Sequence, residues 1–485
     1  MGSMKSHQAQ AIPTDVPAGV PDGPLYFVGV GGAGMSALAQ VLAARGRPVS
    51  GADPGIAPAV RARLEASGVR VFTEHEASNL GDARAVIVSD AVPSANPEVA
   101  AARGRGLPVL RRPELLGALA SGGRSVAIAG THGKTTTTGM VASILLAAEL
   151  DPTVFLGGDL PALNGNARAG KSDVVVAEAC EAYDGFLYLH PHIAVVLNVE
   201  ADHLDYHGNE AHVIASFERF VGQVGRGGTL IVCADDEKSL NLLRAARDGT
   251  AVSTYGLYGP GADADVMAAS VDTDTPRPTF TLVRWGEPVG HVRLNVPGRH
   301  NVLNALAAAG VGFALGVPLD RIIAGLEAFT GTGRRFEIIG EAGGVLLVDD
   351  YAHHPTELRA TLQAARAAYP DRRIVAVFQP HLPSRTRDLM DEFASALAEN
   401  ADAVYLTDIY LAREQPLPGV SSAALAEHVR AAKPGLLVAF VGDKNDLLTR
   451  LESDVRPGDL VLTLGAGDIR FAATGLLARL EKNQP

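Results

Sequence analysis

The stretch Ser125-Val-Ala-Ile-Ala-Gly-Thr-His-Gly-Lys-Thr-Thr136 decides the fold. Ser125 to Ile128 reads as a short apolar strand. Gly130 and Gly133 frame a turn of small residues. Thr136 to Ala148 reads as a helix with Met140, Ile144 and Leu145 on one face. Strand, glycine turn, Lys-Thr and helix form a phosphate-cradling loop, because small side chains let successive backbone N–H groups converge on phosphate oxygens. In that layout Lys134 reaches the β- and γ-phosphates and the Thr135 hydroxyl ligates Mg²⁺. The strict pattern wants a further glycine where this chain has Ile128, so the setting carries the reading. The competing reading is a flexible turn with a solvated lysine. It leaves the threonines after Lys134, poor helix formers, without a polar task.

Upstream, residues 25–120 read as repeated strand–helix units. Leu25 to Val28 is apolar and enters Gly29-Val-Gly-Gly-Ala-Gly34, followed by a helix from Met35 to Ala44. Gly29, Gly31 and Gly34 match the dinucleotide fingerprint, and Asp53 lies where a ribose hydroxyl is held. Alone, this favours NAD. A pyrophosphate is what such a loop grips, and a UDP-sugar carries one too. Ser121-Gly122-Gly123 reads as a linker, so a first Rossmann-like domain is expected over 24–122.

Downstream, a central α/β domain is expected over 123–330. The run Asp173 to Ala177 ends at Glu178, an acid at a strand end placed for Mg²⁺. Ile193 to Leu197 leads into Asn198-Val-Glu-Ala-Asp-His-Leu-Asp205, a polar cluster suited to metal or phosphate. Short alternating runs between about 251 and 297 suggest appended antiparallel strands. His300 and Asn304 share one face of the helix that follows. Residues 331–485 read as a third, Rossmann-like α/β domain. Its strand ends carry Asp349-Asp-Tyr-Ala-His-His354, Gln379-Pro-His381 and Gly465-Ala-Gly-Asp468, at the edge where such sheets bind ligands.

The totals agree with three α/β domains. The chain has 485 residues, 47% of them hydrophobic. A net charge of −12 argues against a nucleic-acid backbone as partner, while leaving room for a local basic pocket that takes a nucleotide. Cys180 and Cys233 are the only cysteines, so a disulfide framework is not expected and the cytoplasm is the default. Residues 1–24 are polar and proline-rich, without a signal-peptide core, and no run is long enough to span a membrane.

One loop that handles phosphate transfer, a second that grips a nucleotide, and a third domain with histidines, arginines and acids suit an ATP-driven condensation. A carboxylate does not react with an amine at neutral pH until it is phosphorylated to an acyl phosphate.

The ordered set of motifs then resembles the Mur ligases. It comprises Gly29-Val-Gly-Gly-Ala-Gly-Met-Ser36, Gly130-Thr-His-Gly-Lys-Thr135, Asn198-x-Glu-x-Asp-His203, His300-Asn-x-x-Asn304, Gly333-Arg-Arg-Phe336, Asp349-Asp-Tyr-Ala-His-His-Pro-Thr356 and Phe378-Gln-Pro-His381. The resemblance implies an ATP- and Mg²⁺-dependent ligase (Mn²⁺ serving in its place) that joins L-alanine to UDP-N-acetylmuramate, a monomer or weak homodimer. It implies that Gly29, Gly31, Gly32, Ala33, Gly34, Met35, Ser36 and Asp53 bind the UDP-sugar rather than NAD. ATP would be bound by Gly130, Thr131, His132, Gly133, Lys134, Thr135 and Thr136, with His300, Asn304, Arg335 and Asp350. Thr135, Glu178 and His203 would hold metal, and Lys134, Glu178, His203 and Arg335 would be catalytic. Tyr351, His353, His381 and Arg385 would surround the amino acid. Three departures stand out. Cys180 interrupts an acidic stretch and Leu382 replaces a frequent arginine. No lysine lies between His203 and Val221, with Phe217 near the place where sibling ligases carry a carbamylated one. An attachment of an intact tripeptide instead of alanine is the main rival within the family, and a non-catalytic nucleotide-binding paralogue the other.

Overall fold

A computed structural model describes residues 20–89, 92–121, 123–257, 263–412 and 414–482, without the side chain of Asp205. Most of the polar N-terminal stretch, and Gly122 of the expected linker, lie outside these residues.

The first sheet holds β1 (Leu25–Val28), β2 (Val49–Ala52), β3 (Arg70–Phe72), β4 (Ala85–Val88) and β5 (Val109–Arg111). All pairings are parallel, in the order 3-2-1-4-5. β1 is fully buried, as a central parallel strand covered on both faces must be. The order reverses beside β1, so the glycine turn at its end opens on the switch-point crevice.

The second sheet has ten strands: β6 (Arg124–Ala129), β7 (Thr153–Leu160), β8 (Gly165–Arg168), β9 (Val174–Glu178), β10 (Ile193–Val196), β11 (Thr229–Cys233), β12 (Ala251–Leu257), β13 (Val266–Asp272), β14 (Thr279–Arg284) and β15 (Glu287–Arg293). Their order is 15-14-13-12-11-10-6-9-7-8. The helix Lys134–Ala147 starts at the loop after β6, and β9 and β10 flank that strand. Helices Arg299–Ala314 and Leu319–Ala328 pack on the helix Lys134–Ala147.

Two local expectations change. The appended antiparallel part begins only at β13, because β12 runs parallel to both β11 and β13. Alternation marks a half-exposed strand but not its direction. The hairpin of β7 and β8 is an addition to the expected strands. At Gly157 a Cβ would sit 2.8 Å from the Glu178 carboxylate, so the glycine there makes room for the site.

The third sheet holds β16 (Glu337–Ala342), β17 (Val345–Asp350), β18 (Arg373–Phe378), β19 (Ala403–Leu406), β20 (Leu437–Phe440) and β21 (Asp459–Leu464), in the order 16-17-21-18-19-20. β16 is an antiparallel edge strand joined to β17 through Gly343 and Gly344, both at positive φ. β16 has no counterpart among the strand ends expected from the sequence. The carboxyl ends of β6, β9 and β10 and that of β17 supply the polar clusters facing the seam between the second and third sheets. Among the described residues no helix is long and apolar enough to cross a membrane.

Candidate active site

The loop after β6 is shaped by two glycines. Gly133 has φ +85°, and a Cβ there would meet the Asn304 side-chain oxygen at 2.6 Å. Gly130 has φ +141°, with Leu197 crowding the same space. The backbone of His132 is pinned by Asn198, whose amide accepts from His132 N at 2.8 Å and donates to its carbonyl at 3.1 Å.

Lys134 Nζ donates to the Gly130 carbonyl at 2.5 Å, the Thr131 carbonyl at 3.0 Å and the Glu181 carboxylate at 2.9 Å. Burial pushes its ammonium down, but Glu181 more than offsets this, so it stays charged. Thr135 Oγ1 donates to Glu178 Oε2 at 3.2 Å, and Gly157 N donates to Glu178 Oε1 at 2.5 Å. Burial raises the Glu178 carboxyl above its ordinary range, against the pull of Lys134 and Arg335. A hydroxyl and a desolvated carboxylate side by side are donors that suit Mg²⁺.

His203 opens a short helix at φ +52°. Its Nε2 lies 3.8 Å from Asp202 and 4.0 Å from Glu181. Burial lowers its pKa, which keeps a ring lone pair free for a metal. Glu181 was overlooked as a site residue. Its side chain is 2% exposed and lies against both Lys134 and His203. The acidic stretch after β9 was its only signal.

A cleft between the second and third sheets is lined by His132, Gly133, Thr136, Asn198, Glu200, His300, Asn304, Arg335 and Asp350, with Leu197, Tyr255, Val296 and Phe329 as its apolar part. His300 is pushed down to about 4 by burial and by Arg335, so it is neutral. Asn304 spends its amide internally, accepting from Thr137 and donating to Asn301. Asp350 accepts from Phe336 N and Ala352 N, both at 2.8 Å; burial lifts its carboxyl to about 6 although Arg335 pulls it back. Arg335 lies 3.5 Å from Glu357 and its guanidinium sits 5.1 Å from the Tyr351 ring centre.

Glu357 is a second overlooked residue. It accepts from His353 N at 2.9 Å, lies 3.3 Å from His132 Nδ1, and sits on the first turn of the helix Pro355–Ala368. Its capping partnership with His354 at the start of that helix is visible only in the structure.

Tyr351, His353 and His381 form a chain of ring contacts that ends on Tyr410, stacked 5.7 Å from His381. Nothing in the sequence marks Tyr410. Arg385 is not free: it donates to Asp202 at 2.7 Å, a buried bond between the third domain and the loop after β10. That guanidinium outweighs burial and holds Asp202 well below the carboxylate range. Leu382 is buried at φ +69° beside this pair.

In the first domain, Gly29, Gly32 and Asp53 line a cavity of about 540 Å³ with His75, Ser89 and Asn96. The Asp53 carboxylate accepts from Gly31 N and Gly55 N at 2.9 Å, so it braces its own loop. Gly31 has no room for a side chain, since a Cβ would lie 2.7 Å from Asp53. Met35 and Ser36 turn inward; Ala33 and Ser36 accept from Asn166 of the central domain. Gly34 packs against Arg112.

Residues 24–124 match the Mur ligase family catalytic domain, 128–312 the Mur ligase middle domain, and 334–467 the Mur ligase glutamate ligase domain. The chain belongs to the Mur ligase family. It is 45% identical over 458 residues to the UDP-N-acetylmuramate–L-alanine ligase of Trichlorobacter lovleyi, covering 94% of this chain and 98% of that one. It is 46% identical over 460 residues to the enzyme of the same name from Symbiobacterium thermophilum, covering 94% of each. The crystal structure of the UDP-N-acetylmuramate–alanine ligase of Thermotoga maritima superposes with a TM-score of 0.79 at 30% identity, over 95% of this chain and all of that one. A murein peptide ligase from Psychrobacter arcticus shares the fold, with a TM-score of 0.71 at 24% identity. The family membership and the full-length likeness set aside the oxidoreductase reading of the Gly29 turn.

Proposed function

We propose that this Mur ligase joins L-alanine to the carboxylate of UDP-N-acetylmuramate at the expense of ATP, in the cytoplasm, for peptidoglycan synthesis. The observation that carries the reading is the full-length identity of 45–46% to relatives of that name, together with a Lys134–Glu181–His203 and Thr135–Glu178 constellation beside the cleft. The tripeptide-adding alternative draws on structures of murein peptide ligases at 24% and 27% identity.

In this reading the cleft of His132, His300 and Asn304 takes ATP, with its phosphates over the Gly130–Thr136 loop. Lys134 exchanges its Glu181 contact for the γ-phosphoryl group and neutralises charge during transfer. Arg335, reaching over from the third domain, adds a second positive charge as the domains close. Thr135 and Glu178 would hold one Mg²⁺ and His203 a second, and these ions supply electrostatic stabilisation of the phosphates when bound. The sugar carboxylate attacks the γ-phosphorus, giving an acyl phosphate and ADP. The amine of alanine, placed among Tyr351, His353, His381 and Arg385, then attacks the acyl carbon and expels phosphate. The UDP moiety lies in the cavity at Gly29–Ser36 and Asp53.

The test is phosphate release from ATP, Mg²⁺ and UDP-N-acetylmuramate with single amino acids or alanyl peptides. Release that depends on L-alanine is expected. Preference for a tripeptide, or release without the UDP-sugar, would overturn the assignment.

A further inference from the structure

Three side chains converge at the seam between the central and C-terminal domains, in a group distinct from the Thr135–Glu178 pair. One donor atom each from His132, Glu200 and His354 lies within 4.8 Å of the other two. His132 Nε2 is 3.4 Å and His354 Nδ1 3.7 Å from Glu200 Oε2. Tetrahedral Zn²⁺ holds donors about 2.0–2.1 Å from the metal, hence about 3.4 Å from each other. The edge from His132 to Glu200 already has that length, the edge from His354 is 3.7 Å, and the two imidazole donors lie within 4.8 Å of each other.

The surroundings are those of an oriented ligand set. The other nitrogen of His132 lies 3.3 Å from the Glu357 carboxylate. Thr356 Oγ1 donates to Glu200 Oε2 at 2.7 Å. A carboxylate behind a histidine and a hydrogen bond on the ligating carboxylate fix the orientation of metal ligands.

We propose that His132, Glu200 and His354 form a binding site for a transition-metal dication of the Zn²⁺ class that bridges the two domains. Two imidazoles and one carboxylate prefer such an ion to Mg²⁺, which takes oxygen donors. His132 belongs to the phosphate loop, Glu200 lines the nucleotide cleft, and His354 belongs to the other domain. A bound ion pins the domains together and takes His132 away from the nucleotide, so occupancy inhibits turnover. The inhibition rests on the nucleotide-site reading above; the binding itself does not.

The experiment titrates Zn²⁺ into the full chain in excess Mg²⁺, without nucleotide, against a chromophoric chelator. Wild type, His354→Ala and Glu200→Gln are compared, with thermal melting of each metal-free variant as the folding control. One Zn²⁺ per chain is expected, weakened at least about tenfold in each variant. Co²⁺ in the same site should show ligand-field bands without thiolate charge transfer, which separates it from Cys180 and Cys233. Retention of wild-type affinity by both folded variants, a thiolate band, or no Zn²⁺ uptake would each overturn the site. If binding stands but Zn²⁺ leaves turnover unchanged, the nucleotide-cleft reading fails and the site does not.

Discussion

Replacing Lys134 by alanine separates a catalytic lysine from one that merely neutralises a buried acid. In the structure Lys134 Nζ makes three short contacts, two to loop carbonyls and one to Glu181, whose side chain is 2% exposed. Loss of a preorganised charge stabiliser costs about 10²–10³ in kcat, or roughly 3–4 kcal/mol of barrier. Loss of one partner of a buried ion pair also costs about 3–5 kcal/mol of stability, because Glu181 is left charged and desolvated. Glu181→Gln in the Lys134→Ala background removes that orphan charge. The double variant should therefore recover much of the melting temperature but none of the turnover. The assay is ADP formation with UDP-N-acetylmuramate and L-alanine, run well below both melting temperatures. Turnover of Lys134→Ala within about twofold of wild type would refute the transfer role. Recovery of turnover along with stability in the double variant would show that the lysine acts only as a counter-ion.

Three further outcomes follow from the same geometry. His132 is held near pKa 9: burial pushes it down, and Glu200 and Glu357 more than reverse this. A group raised in the folded state stabilises fully below its unfolded pKa of about 6.5, so in the metal-free chain up to about 3 kcal/mol should be lost as pH climbs towards 9, a loss absent in His132→Gln melts. Gly133→Ala combines a positive φ with a clash on Asn304, so ATP affinity measured by calorimetry should fall about 5- to 150-fold, the equivalent of roughly 1–3 kcal/mol of strain. Arg385→Ala orphans the buried Asp202, so it should destabilise by about 3–5 kcal/mol and raise the KM for alanine; Asp202→Asn with Arg385→Ala should return the stability and leave the KM high.

The sequence by itself determined the α/β class and the strand–turn–helix setting of the Gly130–Thr135 loop, because both rest on local rules. Apolar runs ending in small or acidic residues mark parallel strands, and Gly133-Lys134-Thr135 between a strand and a helix has one well-defined geometry. The ordered motifs were equally local, and together they identified the family. Strand direction in 251–297, the β7–β8 hairpin and the β16 edge were not legible, since alternation does not give the direction of pairing and short strands broken by glycine carry a weak apolar pattern. The roles of Glu181, Glu357 and Tyr410 also had to wait for the fold, as did the capture of Arg385 by Asp202. Each is a contact between segments tens to hundreds of residues apart, and a side chain's charge or polarity says nothing of its partner until the sheets set the two strand ends face to face.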